Sequence, residues 1–120
     1  MRRTVASLAV LLTTLTTLTA CGDSDSPDET GSEPKVIEVT VEGDSITPNG
    51  ERVEVAVGQA VELEVTADAA GEIHVHSDPE QELAYDAGES TVTIEGIDTP
   101  GVVDVESHDL NKVIVQLEVR

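Results

Sequence analysis

Val53-Glu54-Val55-Ala56-Val57-Gly58-Gln59-Ala60-Val61-Glu62-Leu63-Glu64-Val65 holds two runs of period-two alternation on either side of a glycine. An extended chain turns successive side chains to opposite faces, so each run reads as a strand with one apolar and one wet face, and Gly58 as the break between them. The pattern continues outward in both directions. Ile37, Val39 and Val41 alternate with Glu38 and Thr40 upstream. Downstream it recurs in Ile73 and Val75, in Val92 and Ile94, in Val103 and Val105, and in Val113, Val115, Leu117 and Val119. Asn49-Gly50 favours a two-residue hairpin turn, and Asp98-Thr99-Pro100-Gly101 closes another connection. No stretch repeats at 3.6 residues. The expectation is an all-β domain over residues 35–120, an antiparallel Greek-key β-sandwich of about seven short strands.

The chain has 120 residues, enough for one small domain. Six Lys and Arg stand against 25 Asp and Glu, a formal net charge of −19. Such a surface repels phosphate backbones, so no nucleic-acid partner is expected. Tyr85 is the only aromatic residue, which leaves no platform for stacking bases or sugars. Cys21 is the only cysteine and Met1 the only methionine. An intrachain disulfide, a multi-cysteine zinc or iron-sulfur site and a methionine-based copper relay are all excluded.

Residues 1–20 differ in kind from the rest. Arg2 and Arg3 form a short positive region, and Val5 to Leu18 is an uncharged apolar stretch broken only by Ser and Thr. It reads as an export signal and is too short and threonine-rich for a comfortable membrane span. The stretch closes in Leu18-Thr19-Ala20-Cys21, and here the sequence resembles the bacterial lipoprotein family. The resemblance implies that Cys21 is lipidated and becomes the first mature residue. The protein would then sit on the extracytoplasmic face of the cell membrane, held to the bilayer by its acyl chains, each buried methylene contributing about 0.8 kcal/mol. Residues 21–34 carry five acids and no apolar periodicity, and read as a disordered acidic linker reaching roughly 20 Å.

The three histidines, His74, His76 and His108, all fall in the β region. A His-x-His pair on a strand puts two imidazoles on one face about 6.5 Å apart, close enough to hold one metal ion. With Asp78 or Asp109 as an oxygen donor, the set suits a tetragonal copper(II) or a tetrahedral zinc site. If Ile73 and Val75 face the core, alternation sends His74 and His76 outward. Ser77-Asp78-Pro79 reads as a loop start just after His76, and His108 falls on the loop between the last two strands. His76 with His108 is therefore the expected pair, helped by His74.

The order of features resembles the cupredoxin-like family from about Val36 to Arg120. The resemblance rests on the Gly43 to Pro48 segment, Val57-Gly58-Gln59-Ala60-Val61, Glu72-Ile73-His74-Val75-His76-Ser77, Pro100-Gly101-Val102 and Val115-Gln116-Leu117-Glu118-Val119. Copper-carrying members place a cysteine seven residues after the proline of the Pro-Gly turn. Counting from Pro100, that position is Ser107. A blue centre needs a thiolate with two histidines, so blue-copper electron transfer is not expected. The histidines lead us to expect an envelope metal-handling role, binding copper(II) or another divalent cation, with a metal-free interaction or adaptor module of the envelope as the rival. No catalytic role is expected. Ser107-His108-Asp109 contains triad residue types, but adjacent side chains cannot form a relay.

Overall fold

The computed structural model describes residues 32–120; the export signal, Cys21 and most of the acidic linker lie outside the described residues. Nine strands follow one another with no helix among the described residues: β1 (Lys35–Glu42), β2 (Ser45–Thr47), β3 (Glu51–Val55), β4 (Val61–Ala67), β5 (Gly71–Val75), β6 (Gln81–Tyr85), β7 (Gly88–Ile94), β8 (Gly101–Ser107) and β9 (Lys112–Val119). They form two sheets, one ordered β2-β1-β4-β7 and the other β3-β9-β8-β5-β6.

The alternation read from the sequence becomes the inner faces of this sandwich. In β4, Val61, Leu63, Val65 and Ala67 are buried while Glu64 and Thr66 are exposed. Leu63, Ile73, Ile94, Ile114 and Leu117 are the largest fully buried side chains. Each such Val, Ile or Leu contributes about 1.5–3 kcal/mol by leaving water, which lets an almost aromatic-free core hold.

Two features differ from the expected antiparallel plan. Most pairings are antiparallel, but β1 pairs β4 in parallel and β3 pairs β9 in parallel. The cause lies at Asn49-Gly50, which is not a hairpin turn. β2 belongs to one sheet and β3 to the other, so the chain crosses the sandwich there. The Gly50 N–H docks that crossing against β9 by donating to the carbonyls of Val113 (2.9 Å) and Ile114 (3.0 Å). Gly50 has φ of 76°, a conformation that suits glycine. The second feature is a shift in β8–β9 pairing between Val105 and Glu106. Consecutive residues Ile114 and Val115 both become buried, and Val113 leaves the core face expected for it. Val57 also differs: β3 ends at Val55, and Val57 is exposed in a turn closed by the Gln59 N–H donating to the Ala56 carbonyl at 3.0 Å.

Candidate metal centre

β5 presents Ile73 and Val75 to the core and leaves its other face to Glu72, His74 and, just past the strand, His76. The outward placement expected of His74 and His76 is found. β8 runs antiparallel to β5 with Ile73 opposite Ser107 and His74 opposite Glu106. One step further the His108 N–H donates to the Glu72 carbonyl at 2.9 Å, so His108 stands beside Glu72 on the outer face. On the far side of β5, β6 sets Glu82 opposite His74. The result is a histidine row walled by carboxylates.

Within that row the His74 and His108 rings stack, centroids 4.5 Å apart and planes 27° apart. Glu72 Oε1 lies 2.7 Å from His74 Nε2. One donor atom from each of Glu72, His74 and His108 lies within 4.8 Å of the other two, a spacing that can close around one cation. An entering ion would replace the proton now shared between His74 and Glu72. Hydrogen bonding to Glu72 raises the His74 pKa above its ordinary value; desolvation opposes this, and the charges of Glu72, Glu82 and Glu80 add to it.

The expected pairing is therefore rearranged: His74, not His76, is set against His108. His108 lies at the start of β5 next to Glu72, whereas the Ser77 loop leaves the other end of that strand, so the two do not share one tip of the domain. His76 is anchored there by its N–H to the Asp104 carbonyl at 2.9 Å. It sits between Glu80 (Nδ1–Oε1 3.4 Å) and Glu106 (Nε2–Oε2 3.1 Å). Of the expected oxygen donors, Asp109 is committed elsewhere, since its Oδ2 accepts from the Glu72 N–H at 3.0 Å. Asp78 belongs to the loop at the far end of β5. Glu72 was not singled out in the sequence, although its position two residues before His74 on a strand places both on one face.

Ser107, the position aligned above with the family's cysteine, is fully buried on the opposite side of the sheet from the histidines. Its Oγ accepts from the Leu110 N–H at 3.4 Å. Burial and the charge of Asp109 push the Tyr85 pKa up, against the pull of the Ser107 hydroxyl. The space is filled. A Cβ on Gly71 would lie 2.6 Å from Asp109 Oδ2 and against the Tyr85 hydroxyl. An oxygen donor, a buried phenol and histidines facing away do not fit a blue-copper centre.

No family model and no curated protein matches the chain. Solved structures do. The Cu(I) form of a point mutant of amicyanin superposes with a TM-score of 0.54 at 11% identity, covering 77% of this chain and 87% of that one. A second amicyanin mutant, in its reduced Cu(I) form at pH 4, gives 0.53 at 11% identity over the same shares. A blue copper oxidase from Nitrosomonas europaea gives 0.51 at 15% identity, covering 72% of this chain and 44% of that one. At these identities the likeness speaks for the fold. Two sheets, nine strands and these neighbours together establish that the described residues form a cupredoxin-like β-sandwich.

Proposed function

We propose that this protein is a lipid-anchored, extracytoplasmic lipoprotein whose cupredoxin-like domain binds copper(II) or another divalent metal in envelope metal handling. Glu72, His74 and His108 hold the ion, with His76 on the same face. The observation that carries this reading is the convergence of those three donor atoms within 4.8 Å on a face rich in carboxylates. Imidazole and carboxylate suit copper(II) and zinc, whereas copper(I) prefers the sulfur donors that the domain lacks. The protein is not an enzyme and does not perform blue-copper electron transfer.

Equilibrium dialysis against copper(II) tests the proposal, with the His74→Ala, His76→Ala, His108→Ala triple variant alongside. Saturable uptake by the parent and its loss in the variant are expected. Equal uptake by both, or none by either, favours a metal-free interaction module, a reading that draws support from the filled space around Ser107 and Tyr85. The anchor is tested separately: Cys21→Ser should move the protein from the membrane to the soluble extracytoplasmic fraction, and unchanged membrane association would refute lipid attachment there.

A further inference from the structure

We propose that the same face holds a second divalent cation, bound by His76 and Glu80, beside the ion at Glu72, His74 and His108. The inference rests on the metal-binding reading above and adds a stoichiometry to it.

His76 Nδ1 and Glu80 Oε1 are 3.4 Å apart. N–H···O hydrogen bonds span about 2.7–3.2 Å. Two ligands about 2.0–2.1 Å from one ion, at a tetrahedral angle, stand roughly 3.3 Å apart. The observed gap matches a pair straddling a cation. The other His76 nitrogen faces a different carboxylate, Glu106 Oε2, at 3.1 Å. Donation of the Nε2 proton to Glu106 leaves the Nδ1 lone pair aimed at Glu80, the arrangement in which a carboxylate orients a metal-binding imidazole.

The two positions adjoin without coinciding. His74 turns Nε2 to Glu72 at 2.7 Å and Nδ1 to the same Glu80 oxygen at 3.9 Å, so its ring stands between them. The His74 and His76 centroids are 6.4 Å apart, with the planes at 72°. Charge favours double occupancy. Glu72, Glu80, Glu82 and Glu106 face this histidine row, and four carboxylates offset two dications that would otherwise repel each other. The local backbone also holds its shape: Ser77 Oγ donates to the Pro79 carbonyl at 2.7 Å, and the Gln81 side chain bonds the Glu95 backbone in both directions, at 2.8 and 3.2 Å. Glu80 lies between those fixed points.

Copper(II) alone is titrated into the purified full-length chain in millimolar calcium, which fills sites built only of oxygen. Stoichiometry is read by metal analysis and the distance between ions by electron paramagnetic resonance. Two equivalents with dipolar broadening are expected, falling to one unbroadened equivalent in His76→Ala and in Glu80→Gln. Glu106→Gln should weaken only the second equivalent, by about 10–100-fold. A single equivalent in the parent, retained in His76→Ala and lost in His108→Ala, overturns the second position and leaves the first standing. Two equivalents that persist in both His76→Ala and Glu80→Gln also overturn it. No saturable uptake overturns both.

Discussion

His108 lies stacked on His74, their ring centroids 4.5 Å apart, although 34 positions separate them in the chain. The pairing of β5 with β8 makes this contact, and Glu72 joins it because the His108 N–H is bonded to the Glu72 carbonyl. A ligand that binds only the folded arrangement stabilises it by about 2.7 kcal/mol at one hundred times its dissociation constant. Copper(II) should therefore raise the melting temperature of the protein, and His108→Ala should abolish most of that rise. Without metal, His108→Ala should shift stability by no more than about 0.5 kcal/mol, because the side chain is exposed. Thermal melts with and without the ion check both statements.

Glu72 makes the His74 titration a second test. Its bond to His74 raises the folded-state pKa above the ordinary value of 6.5. The stabilisation is thus fully present below that value and fades as pH rises through the folded-state pKa. Metal-free Glu72→Gln should melt below the parent at pH values under 6.5, with the gap narrowing as pH rises through the folded-state pKa of His74. NMR titration should place the His74 pKa above that of the same residue in Glu72→Gln. A gap that widens toward alkaline pH would contradict the assignment.

Introducing sulfur alone should not create a blue centre. Ser107 is buried toward the core while His74 and His108 lie on the other face of the sheet. Ser107→Cys should fold, and on addition of copper(II) should show no intense orange-red absorption, since thiolate and imidazoles cannot reach one ion. Visible spectroscopy reads the result.

The acid load predicts a salt response. Residues 35–120 hold 4 bases against 20 acids, or −16. Self-repulsion on that scale destabilises a compact domain and is screened by salt. Raising ionic strength from low to moderate, or adding millimolar calcium, should lift the melting temperature by several degrees, since about 1 kcal/mol moves a domain of this size by roughly 4–8 °C. A midpoint unchanged across that range would show that the charge is already balanced.

Close backbone approach predicts one costly small substitution. A Cβ at Gly96 would overlap the backbone carbonyl of Gly58, which a flexible side chain cannot relieve. Gly96→Ala should cost about 1–3 kcal/mol or more in denaturant unfolding, an overpacking penalty despite the addition of a single methyl group.

Much of this architecture is legible in the chain, and the exceptions share a cause. Alternation places Leu63, Ile73 and Val75 inside and His74 outside, because the period of two is a local property. Asn49-Gly50 carries the local signature of a hairpin, yet which sheet receives β3 depends on its parallel pairing with β9, far along the chain. Ile114 and Val115 are both buried because pairing slips at Val105 and Glu106, and a sequence pattern does not encode that slip. The site divides in the same way. That His74 and His76 face outward is local; that His108 meets His74 rather than His76 follows from a non-local register. Tyr85 is buried in the core, and its place beside Asp109 and Gly71 is again a tertiary fact.

Nitrogen couplings in the electron paramagnetic resonance of the protein loaded with one equivalent of copper(II) test the metal assignment most directly. Two imidazole nitrogens on the ion, reduced to one in His108→Ala and likewise in His74→Ala, are the predicted result. A spectrum without nitrogen coupling, or one unchanged in both variants, would contradict it.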